Sequence, residues 1–405
     1  MNIKAPIHQW QLSFEGEWPT SVAFLGDERR LAAGNRSGQI YVWELPENPP
    51  QPQAAGGKNS KNDRPPDFPP VRRLDGHTNG ITHLRTTPDG RTLVSSSLDH
   101  TVRVWDVDAP ATGEAEVVLD GKQRENQARR TSGRKRDEIL NAPGTRVETV
   151  AATHVLEGHG GWVYGLDISA DGKRLISGDD QCLSIVWDLA SLEPVSSWHG
   201  YDRVWVRSVA LAPDGKTAFT CEYAGRRSSF DVPAAQARLW NADDGTLKMD
   251  LLKIWTPDVN DRNRTDSYQY WQKWRKLLKR GLVCAAFSPD GTMLAVGQGG
   301  ETDTGKVHLV DVDSGKILRT VSGHRYGVCD VKFSADGKYL LSSGRDTTVR
   351  ICRVSDGEQV AVLGASRGGQ FKDWVHAIAI SPDQNTVAAA DIAGMVHVWQ
   401  WESSG

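Results

Sequence analysis

The sequence contains few cysteines and no long apolar run. Its five cysteines are odd in number and form no CxxC pair. Neither a disulfide framework nor a zinc site is therefore expected, and reduced thiols are the better interpretation. No stretch approaches the roughly 18 consecutive apolar residues that a membrane-spanning helix needs. The first ten residues lack the apolar core of a signal peptide. These absences predict a cytoplasmic protein without a metal site.

The sequence also lacks a surplus of charge of either sign. Lys and Arg total 48 and Asp and Glu total 51, a formal net charge of -3. This balance argues against a protein that is generally coated by nucleic acid. Common catalytic and nucleotide-binding motifs are missing, since there is no HExxH, P-loop or GxGxxG. Asp residues are frequent in PDG and DVDSG turns, where they suit the turn itself. We therefore expect no catalytic residue and no cofactor.

What the sequence does contain is an internal repeat. Five segments of equal length align without gaps, at 31–44, 93–106, 175–188, 340–353 and 387–400. Two further copies, which contain insertions, end near residues 240 and 310. An Asp-Gly pair precedes several copies, and this dipeptide between alternating apolar runs predicts a tight hairpin. Seven copies spread along the chain predict seven repeated β-sheets.

In the copy at 93–106, a Gly-His pair comes upstream, a Ser lies in the second strand, an Asp in the next turn, and Trp-Asp ends the third strand. By these features the repeats resemble WD repeats. The resemblance implies an all-β fold, a seven-bladed β-propeller that forms one domain over residues 1–405, with four strands in each blade. The last copy leaves no room for a fourth strand. We therefore expect residues 7–14 to pair into the last blade, because an open ring would leave a strand edge unpaired.

The resemblance also implies a buried hydrogen-bonded set of His, Ser, Asp and Trp within a blade, with a structural role. The expected members are His77, Ser95, Asp99 and Trp105 in blade two, His159, Ser177 and Trp187 in blade three, and His324, Ser342 and Asp346 in blade six. Gln181 stands where blade three should have its Asp, and Cys352 replaces the Trp of blade six. Blades one, five and seven keep little of the set and should depend on apolar packing.

Four insertions interrupt the repeats, at 46–70, 107–146, 223–236 and 253–280. The strand order of the family places the first two on one end of the ring, the bottom, and the last two on the top. The basic part of the second insertion, 121–136, is expected to be a solvated loop that could contact nucleic acid or anionic lipid. Segment 266–280 predicts a basic amphipathic helix with Trp271 and Trp274 on its apolar stripe. That helix could pack on the propeller, dock into a partner or lie on a membrane.

Tryptophan recurs at one equivalent position of the repeat, at the entry to the innermost strand: Trp18, Trp162, Trp205 and Trp374. These rings could wedge between blades, or form a binding surface with Arg203, Arg207 and Tyr326, because Trp, Tyr and Arg dominate interface energetics. We therefore expect a non-catalytic scaffold that binds protein partners through its top face and inserted helix. The alternative is a propeller that binds nucleic acid or anionic lipid through the basic segments 121–136 and 271–280.

Overall fold

The computed structural model describes residues 6–14, 17–27, 29–47, 68–118, 121–200, 204–223, 235–255, 281–299, 305–364 and 373–401. The expected amphipathic helix at 266–280 therefore lies outside the described residues. Most of the insertions at 46–70 and 223–236 lie outside them as well.

Seven sheets follow one another along the chain. The chain begins with β1 (Ile7–Ser13), which belongs to blade seven. Blade one has β2 (Pro19–Phe24), β3 (Arg30–Asn35), β4 (Ile40–Glu44) and β5 (Arg72–Asp75). Blade two has β6 (Ile81–Thr86), β7 (Thr92–Ser97) and β8 (Val102–Asp106). An insertion with β9 (Gly113–Val117), α1 (Gly121–Ala128), α2 (Arg134–Leu140) and β10 (Thr145–Ala151) comes before its fourth strand, β11 (His154–Leu156).

The remaining blades follow the same plan. Blade three has β12 (Val163–Ile168), β13 (Arg174–Asp179), β14 (Leu183–Asp188) and β15 (Pro194–His199). Blade four has β16 (Trp205–Leu211), β17 (Thr217–Tyr223), β18 (Ala235–Asn241) and β19 (Leu247–Asp250), followed by α3 (Leu251–Trp255). Blade five has β20 (Leu282–Phe287), β21 (Met293–Gln298), β22 (Gly305–Asp311) and β23 (Ile317–His324). Blade six has β24 (Val328–Phe333), β25 (Tyr339–Gly344), β26 (Thr348–Arg353) and β27 (Gln359–Gly364). Blade seven has β28 (Val375–Ile380), β29 (Thr386–Asp391) and β30 (Met395–Gln400).

The innermost strands form a closed ring around a central channel. Each of β2, β6, β12, β16, β20, β24 and β28 contacts the innermost strand of the next blade, and β28 contacts β2. Seven apolar clusters fill the seven spaces between neighbouring blades, so the core lies between the sheets. The predicted seven-bladed propeller is confirmed. No helix in the described segments is long and apolar enough to cross a membrane.

The Asp-Gly pairs make the tight turns between first and second strands, as predicted. In blade three Gly172 has a φ of 71°, which is the left-handed region that glycine adopts without strain. The Asp171 carboxylate accepts hydrogen bonds from the Ser169 hydroxyl at 2.7 Å and the Lys173 backbone N–H at 3.0 Å. The same arrangement recurs in blades five and six. Each turn is therefore fixed by its own residues.

The start of the chain completes the last blade. Strand β1 pairs antiparallel with β30, with Ile7 opposite Gln400. Trp10, Leu12 and Phe14 are buried in the cluster between blades seven and one. The ring is therefore closed by pairing the two ends of the chain, as expected.

The insertion at 107–146 is not simply a loop that hangs from the ring. Strand β10 pairs parallel with β5, and β9 pairs antiparallel with β10, so blade one becomes a sheet of six strands. Val117 and Val147 are buried in the same cluster as the ring closure. The insertion covers an edge strand that would otherwise be open to pairing with other chains.

The expectation of a loop at 121–136 is wrong in its secondary structure, because α1 and α2 occupy most of this segment. Its polar composition gave no apolar stripe from which a helix could be predicted, and α2 buries no residue. The expectation of solvent exposure does agree with the structure, since Arg129, Arg130 and all of 134–136 are exposed.

Candidate functional site

The four tryptophans at the entry to the innermost strands occupy equivalent places in the fold. The backbone carbonyls of Trp18, Trp162 and Trp374 each accept a hydrogen bond, at 3.0 to 3.1 Å, from the residue that opens the turn after the second strand of the same blade. Trp205 lies opposite Tyr223 at the corresponding step of the blade-four ladder. Because strands alternate in direction, these positions share one end of the ring with the second-to-third-strand turns. We call the four rings and their aromatic and arginine neighbours the tryptophan face.

Two rings of the tryptophan face are open to solvent. Trp18 is 46% exposed and Trp162 is 42% exposed, which is unusual for tryptophan. These two side chains therefore do not fill gaps between blades. Trp205 and Trp374 are half-buried.

Arginine side chains stack over two of the rings. The guanidinium of Arg36 lies 4.7 Å from the centre of the Trp18 ring, and that of Arg345 lies 4.2 Å from the Trp374 ring. Such cation–π contacts favour fixed side-chain positions and leave the edge of the guanidinium available as a donor. The face therefore combines flat apolar surfaces with ordered positive charge.

A third group of rings joins blades three and four. Tyr164 stacks on Trp205 with 6.2 Å between ring centres and meets Trp162 edge-on at 6.3 Å. Arg207 lies over the Tyr164 ring at 5.2 Å. Burial raises the pKa of the Tyr164 hydroxyl, and the charge of Arg207 opposes this rise. The structure thus brings Trp162, Trp205 and Arg207 together through a tyrosine between them.

The other expected members are spread differently. Tyr326 is half-buried, and Arg325 lies 5.6 Å from its ring centre. Arg203, Trp271 and Trp274 lie outside the described residues. In blade two Gly80 takes the position of the tryptophan, and a Cβ there would come within 2.7 Å of the Arg36 carbonyl oxygen. A side chain at that position would collide with the turn of blade one.

The His, Ser, Asp and Trp side chains of blade two meet in one buried network. His77 Nδ1 lies 2.8 Å from Asp99 and its Nε2 lies 2.7 Å from Ser95 Oγ. The Trp105 indole N–H donates to the same Ser95 Oγ at 2.8 Å. The Ser95 hydroxyl is therefore free to donate to Nε2, which leaves the proton of a neutral His77 on Nδ1, facing Asp99. Burial lowers the pKa of His77, which agrees with the neutral form.

Blade three contains a residue that the sequence analysis missed. His159 Nδ1 lies 2.9 Å from Asp179, and not from Gln181, which bonds to the Gly160 carbonyl instead. The Asp comes from the end of the second strand, two residues before the expected turn position. Ser177 lies 2.7 Å from His159 Nε2 and accepts from the Trp187 indole at 2.8 Å. Blade three therefore has a complete set, with the carboxylate supplied from a different position.

Blade six has the same network without tryptophan. His324 lies 2.9 Å from Asp346 and 2.8 Å from Ser342. Burial alone would raise the pKa of Asp346. The hydrogen bond and charge of His324, with hydrogen bonds from the Arg325 backbone and Thr348, together outweigh burial and lower this pKa to about 2. Cys352 occupies the tryptophan position and is buried.

These three networks resemble the order of groups in a hydrolase triad, with Ser next to His next to Asp. The blade-two serine is fully buried, and its oxygen already accepts from the tryptophan in the same blade. A substrate would have no access to this oxygen in the folded blade. The arrangement is therefore suited to fixing the strands of a blade.

Metal binding and disulfide bonding receive no support from the described segments. No group of three or more His, Cys, Asp or Glu side chains there is arranged to hold a metal ion. The five cysteines are all described and are all free thiols. Burial raises the pKa of Cys182 and of Cys329 to about 12.

Comparison with known proteins agrees with this architecture. The sequence model of the WD domain, G-beta repeat, matches residues 68–106, 151–188, 315–352 and 357–400. The chain is 26% identical over 236 residues to autophagy-related protein 16 of Arabidopsis thaliana. This aligned region covers 56% of this chain and 45% of that protein. It is 27% identical to the target of rapamycin complex subunit wat1 of Schizosaccharomyces pombe over 45% of this chain and 57% of that protein.

A shorter match, 32% identical over 118 residues, is to WD repeat and SOCS box-containing protein 1 of Mus musculus, and it covers 29% of this chain and 26% of that protein. The chain therefore spans about a quarter to rather more than half of the length of these curated relatives. Each of the four matches to the repeat model runs from the outer strand of one blade through the first three strands of the next, within a closed seven-bladed ring. The chain belongs to the WD-repeat β-propeller family.

Proposed function

We propose that this propeller is a non-catalytic scaffold that binds a protein partner through the tryptophan face. The observation that carries the proposal is the solvent exposure of Trp18 and Trp162, at 46% and 42%, beside arginines held in place by stacking. Large rings that stay exposed in the free protein are typical anchors of protein interfaces. The proposal does not depend on the segments outside the described residues.

The preorganisation of the face supports a binding role. Arg36, Arg207 and Arg345 lie against aromatic rings, so less side-chain entropy remains to be lost when a partner binds. The guanidinium group of Arg36, which is exposed, can donate paired hydrogen bonds to a carboxylate or to backbone carbonyls. A partner segment with an apolar side chain next to an acidic one would match this surface.

The relatives are consistent with an assembly role. One of them is named as a subunit of a complex. Propellers offer several rigid edges and faces, and this property suits a protein that holds others together. We infer the same kind of role here, through a partner that the tryptophan face selects.

Replacing the two exposed rings tests the proposal. We expect the Trp18→Ala, Trp162→Ala double variant to weaken capture of specific partners by about 30-fold or more, since loss of an interface anchor costs about 2 kcal/mol or more. Wild-type and variant proteins would be used as baits, captured proteins would be quantified by mass spectrometry, and the strongest hit would be purified for affinity measurement.

The matched control is Leu318→Ala, which removes a side chain that is 58% exposed on the outer strand of blade five. It should leave capture unchanged. Unchanged capture by the double tryptophan variant, with its thermal unfolding intact, would exclude the tryptophan face. Rising salt should weaken the interaction only modestly, because the rings anchor it and the few arginine–carboxylate pairs are the only part that salt screens.

A second function is favoured by a separate observation, the exposed cations of the inserted helices. The segment 121–136 contains seven basic residues and one acidic residue, and its cations from 129 to 136 are exposed. We propose as the alternative that this segment binds nucleic acid or anionic lipid, together with 271–280, which lies outside the described residues. A variant with Arg134, Lys135 and Arg136 changed to Gln should then lose binding to DNA or to phosphatidylserine vesicles, with a steep salt dependence. Equal binding by this variant and the wild type would exclude the alternative.

A further inference from the structure

A short linker between the two inserted helices carries a serine that follows a pair of arginines. Residues 129–133 lie between α1 and α2 and belong to neither helix. Arg129 and Arg130 come three and two residues before Ser132. Kinases with an acidic substrate cleft select serines by arginines at such positions, because opposite charge holds the segment in the cleft. The linker therefore has the charge pattern of a kinase substrate.

The hydroxyl of Ser132 is accessible. Ser132 is exposed, and its side chain has no hydrogen-bond partner among the described residues. The neighbouring Thr131 differs, because it is half-buried and its hydroxyl donates to the Ala128 carbonyl at 3.2 Å. Ser132 Oγ is thus the hydroxyl of the linker that can reach an enzyme without breaking an internal contact.

The two arginines before Ser132 are accessible as well. Arg129 and Arg130 are exposed, and neither forms an ion pair in the part of the chain that the structure describes. By contrast, Arg134 at the start of α2 pairs with Glu138 at 3.0 Å. Acidic side chains of a kinase can therefore bind both upstream guanidinium groups directly.

The linker can also change its conformation at little cost. A kinase binds its acceptor segment in an extended form, so the chain on either side of the serine must give way. Helix α2 buries no residue, and its unfolding would expose no apolar core. Local opening after Ser132 is therefore inexpensive.

A second serine in blade three has the same arginine spacing and a different environment. Arg174 comes three residues before Ser177, as Arg129 does before Ser132. Ser177 is 0% exposed in the second strand of its blade, and Arg174 pairs with Asp243 of blade four. This serine cannot reach an enzyme in the folded ring, so it serves as an internal control.

We propose that Ser132 is a phosphorylation site for a serine/threonine kinase with an acidic substrate cleft. The bond between the γ-phosphorus of ATP and the β,γ-bridging oxygen breaks, and ADP leaves. A bond forms between that phosphorus and Ser132 Oγ, and the hydroxyl proton passes to the catalytic aspartate of the kinase. The site is independent of the tryptophan face and of its protein partner.

Phosphorylation would change the charge of the inserted helices. The segment 121–136 contains seven basic residues and one acidic residue. A phosphoserine brings about 1.5 to 2 negative charges at pH 7 and would offset part of this surplus. Weaker binding of the segment to an anionic partner follows, and this consequence alone rests on the alternative function proposed above.

Phosphate transfer to the full chain tests the proposal. The probe is the catalytic subunit of cyclic-AMP-dependent protein kinase with Mg-ATP, and peptide mass spectrometry quantifies phosphate at each serine. We expect phosphate on Ser132 and none on Ser177 in the native protein. A second Arg-Arg-x-Ser motif, at 226–229, lies outside the described residues, and the peptide analysis separates it from Ser132.

Two double variants test recognition by the upstream arginines. Arg129→Gln with Arg130→Gln should slow phosphate transfer to Ser132 about tenfold or more, since it removes charge-assisted contacts with the kinase. Lys135→Gln with Arg136→Gln removes the same charge after the serine and should leave the rate nearly unchanged. Absence of phosphate on Ser132, equally fast transfer to Ser177, or equal slowing by both double variants would overturn the proposal.

A separate measurement tests the consequence for binding. Phosphorylated and unphosphorylated chains would be compared for binding to DNA and to phosphatidylserine vesicles at one salt concentration, and the phosphorylated chain should bind about tenfold more weakly. Equal binding by the two forms would refute the consequence. Absence of binding by both forms would contradict the alternative function, whereas the phosphate measured on Ser132 would still establish the site.

Discussion

Leucine 12 offers a sharp test of ring closure by the first strand. The Leu12→Ala substitution removes a side chain that is 0% exposed in the cluster between blades seven and one. Truncation of such a leucine costs about 2–5 kcal/mol through lost burial and the cavity that remains. The total stability of a typical domain is only about 5–15 kcal/mol, so this one change should remove a large part of it. Deletion of residues 1–14 should destabilise the whole ring.

The control lies on the same strand. Ile7→Ala removes a side chain of similar size that is 46% exposed and should change the free energy of unfolding by less than about 0.5 kcal/mol. Urea denaturation, followed by tryptophan fluorescence and far-UV circular dichroism, would measure both variants. Equal effects of Leu12→Ala and Ile7→Ala would refute the closure by β1, because only burial distinguishes them. A deletion variant as stable as the full chain would refute it as well.

Three further predictions concern buried polar groups. Asp179→Ala should destabilise the protein by about 1–3 kcal/mol, since it leaves a buried imidazole N–H without its acceptor, and Gln181→Ala should have little effect in the same denaturation assay. Burial, and then the charge of a neighbouring histidine, lowers the pKa of His8 from 6.5 to about 4, with a backbone hydrogen bond opposing both. As the pH falls, the imidazole of His8 therefore takes up a proton in the unfolded chain before it does so in the folded chain. The free energy of unfolding should consequently fall as the pH decreases from 6.5 to about 4. A His8→Asn variant whose stability depends on pH in the same way as the wild type would contradict this. The raised thiol pKa values of Cys182 and Cys329 predict slow alkylation of both thiols in the native protein and fast alkylation in urea. Mass spectrometry would measure both rates, and a thiol modified equally fast in both states would contradict this prediction.

The number of blades and the closure of the ring could be predicted from the sequence because both depend on repetition. The segments at 93–106 and 340–353 align without gaps. The positions of their Asp and Ser residues, and of the turn glycines just before them, Gly90 and Gly337, are set by local backbone requirements. The last copy of the repeat lacks a fourth strand, and the alternating apolar and polar residues of β1 predicted a strand that could supply it. Such local and repeated signals are what a single sequence contains.

The position of Asp179 was missed because a fixed spacing was assumed. A carboxylate two residues earlier in the strand reaches the same imidazole, since both positions lie beside the turn. Strands β9 and β10 were missed for a different reason. They pair with blade one although they lie between the third and fourth strands of blade two in the chain, and this pairing depends on contacts between β5 and β10 that no local pattern reveals.

Only part of the tryptophan face could be predicted from the sequence. Alignment of the first strands brought the four tryptophans to one position. Arg36 and Arg345 also share one position, the sixth residue of their aligned copies, but their contacts with the tryptophan rings were not predicted. Tyr164 was missed because it lies in the strand, two residues after Trp162, and turns toward the next blade. Ring stacking depends on the distance between blades, which the sequence does not encode in any one repeat.

The six-stranded sheet of blade one has a consequence for how the protein folds. Most repeats of a propeller interact with their neighbours only through side chains and can form their own hydrogen-bond ladders alone. Blade one cannot complete its ladder until β10 has been synthesised, and β10 lies in the middle of blade two. The first two repeats therefore form one cooperative unit, and amide protons of β5 and β11 should exchange through a common opening.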